Sequence, residues 1–451
     1  MSRIEEAIAR ARDTKALIIE ENATSRCGEM FKELFGDSKA IVVADLNTFR
    51  AAGEKTVRSL KEAGIVMYDP FIFKDPELYA EWSYLMQLEK HLASCDAIPV
   101  AVGSGVINDL TKLASEHLGR RYIIVGTAAS MDGYTAYGAS ITFEGNKQTF
   151  DCKAPLGVII EPEISAAAPS EMAASGYADL IAKVPAAADW MLADALGEEP
   201  IDDFAYGLLH STLKDALSYP AEVHNREIQP TEKLAEGLIM SGFAMQAIQS
   251  SRPASGIEHQ FSHYWDMDDL CYEGKHVSHG FKVGIGTLIS TACFEFILAY
   301  DMDSIDIDSC TARWPEWDEM EVRIREIFSD KPGHLARALA ESKAKYIPAE
   351  KLRVQLETLK RKWPELKERI SGYIFSYDEV YSNLRKVGAP YEPEMIGISR
   401  KRLRDTFIGI PYMRSRYTII DLFCRCGLMD EVQTALFGPE GRWECNDPHH
   451  S

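Results

Sequence analysis

The stretch Ala97-Ile98-Pro99-Val100-Ala101-Val102-Gly103-Ser104-Gly105-Val106-Ile107-Asn108-Asp109 decides the fold. An apolar run of strand length, Ala97–Val102, meets two glycines and then a helical pattern over Ile107–Leu118. A strand that stops at glycines and opens a helix gathers backbone N–H groups and the positive end of the helix dipole at one point, which suits a pyrophosphate. The third glycine of the dinucleotide fingerprint is absent, because Asn108 stands there. Asp109, in the first turn, would complement the helix dipole without any ligand.

The same alternation extends to both sides. Ala16–Ile19, Ala40–Ala44, Tyr122–Val125 and Leu156–Ile160 are further strand-length apolar runs, and Thr24–Phe35, Thr48–Ala63 and Leu78–Ala93 carry helical spacing. Strand alternating with helix predicts a parallel sheet with helices on both faces. Ala139–Phe143 and Gln148–Cys152 flank Glu144-Gly145-Asn146-Lys147 and read as a hairpin. After Ala168-Pro169 the texture changes. From Ser170, a good N-cap, long helical patterns dominate, punctuated by prolines at 185, 200, 220, 230 and 253. The expected architecture is an α/β dinucleotide-binding domain over residues 1–168, followed by an all-helical metal- and substrate-binding domain over 169–451. Ligands of such sheets bind beyond the carboxyl ends of the strands, so the cleft between domains is the expected site.

A chain of 451 residues exceeds one average core. Hydrophobic residues at 46% and charged residues at 26% match an ordinary globular protein. Against 49 lysines and arginines stand 69 acids, and the net charge of −20 opposes phosphate backbones and anionic lipid. A small molecule is therefore a better partner than nucleic acid or a membrane surface. The nine cysteines show no repeating spacing, and Cys424 and Cys426 are too close for a zinc knuckle. Reduced thiols in a cytoplasmic protein are expected. Met1–Arg12 lacks the apolar core of a signal peptide. Val283–Tyr300, interrupted by Glu295, predicts a buried core helix and not a membrane span. Asp301–Ser309 lacks the central glycine and closing glutamate of a calcium loop and reads as an acidic, solvated loop.

Three further groups of residues carry chemistry. Gly126-Thr127-Ala128-Ala129-Ser130-Met131-Asp132-Gly133 follows a strand, where small hydroxyl residues reach a nicotinamide ribose or amide, or simply close an ordinary turn. Four of the eleven histidines fall between 259 and 279, in Glu258-His259-Gln260-Phe261-Ser262-His263 and His276-Val277-Ser278-His279-Gly280. His259 and His263, four apart, share one helix face, and such clustering favours a metal over surface histidines. Asp179 stands in the small, apolar run Ala174-Ser175-Gly176-Tyr177-Ala178-Asp179-Leu180 and needs a partner. A metal would supply one, and so would Lys183 one turn later.

Together, Gly103–Asp109, Thr127–Tyr134, Gly176–Lys183 and Ser251-Arg252-Pro253-Ala254-Ser255-Gly256-Ile257-Glu258-His259 resemble the superfamily of iron-containing alcohol dehydrogenases, glycerol dehydrogenases and dehydroquinate synthase. Within it, the sequence is most similar to the bacterial branch of the sn-glycerol-1-phosphate dehydrogenases, from about residue 15 to about residue 437. The resemblance implies a dehydroquinate-synthase-like fold and an NAD(P)-dependent, metal-containing enzyme of phospholipid biosynthesis that reduces dihydroxyacetone phosphate to sn-glycerol 1-phosphate; the alternatives are a dehydrogenase of glycerol or another small polyol, and a non-catalytic nucleotide- or metal-binding protein that kept the fold. The resemblance implies metal ligation by Asp179, His259 and His279. His263 and Asp132 would be catalytic and hold the substrate together with Asp179. Gly103, Gly105, Val106, Ile107, Asn108, Asp109, Thr127, Ala128, Ala129 and Ser130 would contact the dinucleotide. Iron-type relatives carry another histidine where this chain has Lys183, so zinc is the expected metal, with nickel and iron as alternatives. Asp45, ending the second strand, would accept ribose hydroxyls and repel a 2′-phosphate, favouring NAD over NADP. A homo-oligomer, a dimer or larger, is also expected. Two departures stand out: Ala136 replaces a serine or threonine common near the cofactor, and the polar tail Gly438–Ser451 has no counterpart.

Overall fold

The computed structural model describes residues 3–445; Met1, Ser2 and the tail residues 446–451 lie outside the described residues. Eight strands occupy the first 160 residues: β1 (Ala16–Ile19), β2 (Ala40–Asp45), β3 (Phe71–Phe73), β4 (Ile98–Gly103), β5 (Ile123–Gly126), β6 (Ala139–Phe143), β7 (Asn146–Phe150) and β8 (Gly157–Ile160). Six of them form one parallel sheet in the order β1-β8-β5-β4-β2-β3. The central strands read as near-continuous apolar runs because they are buried: Val42, Val100, Val102, Ile123, Val125 and Ile159 join one hydrophobic cluster. The register aligns Gly103 of β4 with Gly126 of β5, so both glycine-led turns leave the sheet side by side at the carboxyl edge.

Two local expectations are corrected. β3 is a three-residue edge strand, too short to leave a periodic signal. In the hairpin, β7 starts at Asn146 instead of Gln148, because Glu144 (φ 51°) and Gly145 (φ 75°) make a two-residue turn of the type that matches strand twist.

From Ser170 the only strands among the described residues form one small hairpin, and the other elements are helices. The division by contacts differs from a cut at 168/169. One unit comprises Met1–Leu180, Asp202–Ala254 and Lys386–Ala389, and the other Ile181–Ile201, Ser255–Arg385 and Pro390–Ser451. Residues 202–254 join the first unit because helices Asp203–Ala216 and Ile228–Ile248 pack on each other, and the latter also packs on helix Pro162–Ala167. In the second unit, helices Ile257–Met267 and His279–Ala299 form a tightly packed pair. Helix His279–Ala299 has the length and hydropathy to cross a membrane, but 78% of its apolar window is buried inside the protein.

The acidic stretch after it is more ordered than a solvated loop. Asp301 caps a 3-10 turn at Met302–Ser304, and Asp306 caps helix Ile307–Arg313. The described part of the C-terminal tail also docks. Trp443 is 1% exposed, and its ring meets Tyr377 and Phe437.

Candidate active site

In the first unit, helix Gly105–His117 follows β4 through Ser104. The N–H groups of Gly105, Val106 and Ile107 precede the first helical bond, from Asn108 N–H to Ser104 O. Gly105 and Val106 are half-buried, whereas Ile107 and Asn108 are buried. Asn108 is held inside, with its Oδ1 accepting from Tyr122 and its Nδ2 donating to Gly133 O. Asp109 Oδ2 accepts from Ser140 N–H in β6, so its carboxylate pins the hairpin. Asp45 Oδ1 caps its own helix, accepting from Asn47 and Thr48 N–H.

The second turn is Thr127-Ala128-Ala129-Ser130, whose first three residues are buried while Ser130 is half-buried. Ala136 is buried against Met245 and Ala254. The segment between is tied down by Lys112, a fully buried lysine whose Nζ donates to Gly133 O, Ala136 O and Gly138 O at 2.9 Å each. Asp132 sits on that segment. Its N–H donates to Asp179 Oδ2 at 3.2 Å, and its Oδ2 accepts from Ser241 Oγ at 2.8 Å. Asp179 itself is fully buried on helix Ser170–Ile181. That helix approaches the Thr127–Ser130 turn closely at Gly176, where a methyl group would stand 2.0 Å from Ala129 O.

In the second unit, His259 and His263 lie on helix Ile257–Met267, and His279 is the first residue of helix His279–Ala299. The ring centroids of His259 and His279 are 5.3 Å apart, and His263 stands 6.4 Å from each. Each of the two closer rings has its Nδ1 engaged: His259 on Glu258 Oε1 at 2.8 Å, His279 on Ser262 Oγ at 3.2 Å. A partner on Nδ1 is the arrangement that fixes tautomer and ring orientation in metal sites. Two neutral imidazoles with rings at that spacing suit a divalent ion with bonds of about 2.0–2.1 Å. His263 stands farther from both rings than they do from each other, and its side chain keeps 36% exposure. The surrounding protein, and next the Arg414 guanidinium, hold its pKa well below the ordinary histidine value.

Several residues around these histidines lie beyond what local sequence shows. Glu258, fully buried, also accepts from Gly256 N–H. Its place directly before His259 is the one signal that could have found it. Asp266 pairs with the buried Lys282, tying the two histidine-bearing helices together. Arg414 donates to Ser255 Oγ at 2.9 Å and Arg416 to Ser255 O at 2.8 Å, which sets two guanidinium groups beside the start of the His259 helix.

This fold is that of the iron-containing alcohol dehydrogenases. Residues 18–169 match the family model described as iron-containing alcohol dehydrogenase. Glycerol dehydrogenase from Schizosaccharomyces pombe superposes with a TM-score of 0.59 at 15% identity, covering 95% of this chain and 90% of that one. The iron-containing alcohol dehydrogenase from Thermococcus thioreducens gives 0.60 at 12% identity, covering 94% and 98%. In sequence, the glycerol-1-phosphate dehydrogenase [NAD(P)+] of Geobacillus stearothermophilus is 30% identical over 65% of this chain and 74% of its own length. That of Geobacillus thermodenitrificans is 27% identical over 87% and 88%. That of Halalkalibacterium halodurans is 35% identical over 56% of this chain, and the match spans 64% of that enzyme. The chain belongs to the glycerol-1-phosphate dehydrogenase branch of the iron-containing alcohol dehydrogenase family.

Proposed function

We propose that this protein is a metal-dependent NAD(P)H oxidoreductase that reduces dihydroxyacetone phosphate to sn-glycerol 1-phosphate. The observation that carries the reading is the pair His259 and His279, with ring centroids 5.3 Å apart and the Nδ1 of each already engaged; Asp179 is the carboxylate that the family resemblance adds to it. Zinc is the metal we favour for this three-ligand set, with nickel and iron(II) as alternatives. What a divalent ion supplies in such a setting is Lewis acidity toward the carbonyl oxygen as hydride arrives from a nicotinamide.

The remaining work falls to the chain. Asp179, His259 and His279 hold the ion, and Glu258 and Ser262 keep the two rings aimed. Amides of Gly105, Val106 and Ile107 receive the pyrophosphate at the helix N-terminus. Gly103, Asn108, Asp109 and the Thr127-Ala128-Ala129-Ser130 turn shape the same dinucleotide site, the buried members through their backbone. Asp45 offers its second oxygen to the adenosine ribose, which favours NAD. Asp132 and His263 hold substrate hydroxyls, and His263 returns the proton to the reduced oxygen. Arg414, bonded to Ser255 Oγ beside the start of the His259 helix, receives the phosphate of the substrate. A cytoplasmic setting agrees with nine cysteines that are all free thiols.

Rates of NADH oxidation with dihydroxyacetone phosphate and with unphosphorylated dihydroxyacetone test the reading directly. The phosphorylated ketone is the better substrate in kcat/KM, and Arg414→Ala removes most of that preference through KM. Equal rates on both ketones, or full activity in a metal-free His259→Ala protein, would overturn it.

A further inference from the structure

A second group of metal-ligating side chains lies outside this site, on the small hairpin of the second unit. Its strands are β9 (Cys271–Tyr272) and β10 (Lys275–His276), joined by Glu273 (φ 50°) and Gly274 (φ 78°). Cys271 and His276 are direct cross-strand partners, so their side chains rise on one face of the hairpin. Cys271 Sγ is 3.4 Å from His276 Nδ1, and the same nitrogen is 3.3 Å from Asp269 Oδ1. One ligand atom from each of Asp269, Cys271 and His276 lies within 4.8 Å of the others.

The scaffold under these groups is anchored. Leu270 is buried, its N–H donates to Trp265 O, and its carbonyl accepts from Val277 N–H, closing the base of the hairpin. Tyr272 lies over Gly397, where a methyl group would come within 2.6 Å of its ring. Two-stranded hairpins are marginal on their own, and a bridging ion across the strands offsets that weakness.

We propose that Asp269, Cys271 and His276 form a second divalent-metal site of the zinc type. Thiolate, imidazole and carboxylate together select a borderline-soft ion over magnesium or calcium, and exposure of all three leaves the fourth position to water. The hairpin joins the helix carrying His259 to the helix that begins at His279, so an ion here clamps the connection between two proposed ligands of the other centre.

The two centres differ in one atom type, and that makes the test clean. The Asp179, His259 and His279 group contains no sulfur, so a thiolate-to-cobalt charge-transfer band cannot arise from it. The full-length protein is stripped with a chelator and reloaded with cobalt(II). The wild-type chain shows the charge-transfer band and binds one more ion per chain than Cys271→Ser, in which the band is lost. His276→Gln also loses the band, whereas His259→Ala keeps it. Cys271→Ser and His276→Gln sit on exposed side chains of the hairpin, so their folding is retained; circular dichroism checks it for them and for the buried His259→Ala. Absence of the band in the wild-type chain, its persistence in Cys271→Ser, or equal stoichiometry in both would overturn the proposal. None of those results bears on the other centre, which His259→Ala reports separately.

Discussion

Gly286 lies against Glu258 so closely that a methyl group on it would stand 2.4 Å from the Glu258 carbonyl oxygen. The helices bearing His259 and His279 therefore touch backbone to backbone, and the carbonyl cannot swing away as a side chain would. Gly286→Ala forces the helices apart at a cost of about 1–3 kcal/mol, typical of overpacking. Since it also separates the two histidines, metal affinity falls with stability. Thermal melts and competition titration against a metal chelator read the two effects; unchanged affinity would contradict the link.

Glu258 presents a separable question, because its fully buried carboxylate holds His259 Nδ1. Glu258→Gln keeps an acceptor for the ring N–H but removes the negative charge behind it. Loss of such a partner typically costs about 10- to 100-fold in metal affinity. The predicted signature is weaker metal binding with KM for the ketone unchanged at saturating metal. A rise in KM with metal affinity intact would assign Glu258 to the substrate instead.

Lys112 is a buried charge satisfied by three backbone carbonyls of the Gly133–Gly138 segment. Lys112→Met fills its volume but orphans those carbonyls, and each unsatisfied buried acceptor costs about 1–3 kcal/mol. We expect a loss of about 3–5 kcal/mol, comparable to breaking a buried ionic network. Denaturant titration measures it. Amide exchange around Asp132 should quicken in parallel, since that residue rides on the released segment.

The Lys55–Glu161 pair gives a pH dependence. Burial works to raise the Glu161 pKa, but the Lys55 ammonium at 2.7 Å and the Thr24 N–H at 3.0 Å prevail and hold it below its ordinary value of 4.5. Because the folded-state pKa is the lower one, the pair's contribution is complete above about pH 4.5 and is lost as pH falls through the depressed value. Glu161→Gln costs about 2 kcal/mol at neutral pH, less than the 3–5 of a fully buried pair because Lys55 is 32% exposed. It also flattens the stability profile below pH 4.5, and an acid limb as steep as that of the wild type would refute the assignment.

What the sequence disclosed follows the range of each interaction. β2, β4, β5 and β8 were legible because central parallel strands are buried on both faces and appear as unbroken apolar runs, and β1, a half-buried edge strand, because its four residues are all apolar. β3 was not, since a three-residue edge strand has no period to detect. The hairpin register depended on the φ angles of Glu144 and Gly145, which composition does not encode. The His259 and His263 spacing was legible because i and i+4 share a helix face. Arg414 was invisible, because its neighbourhood with His263 joins positions 151 apart in the chain. Lys112 looked like any surface lysine, and only its three carbonyl partners reveal otherwise. Asp45 and Asp109 were read as cofactor contacts, yet each carries a structural duty in capping a helix or pinning a hairpin.

The strand order has a consequence for synthesis. β1 emerges first, but its one neighbour in the sheet is β8, which also forms the far flank of β5. A nascent chain that has not yet released residues 157–160 therefore carries two unsatisfied parallel edges, both apolar and both templates for pairing with other chains. The vulnerable interval ends when β8 is delivered and slots between them. Ribosome pausing just before Gly157 would lengthen that interval, and pausing after Ile160 would not.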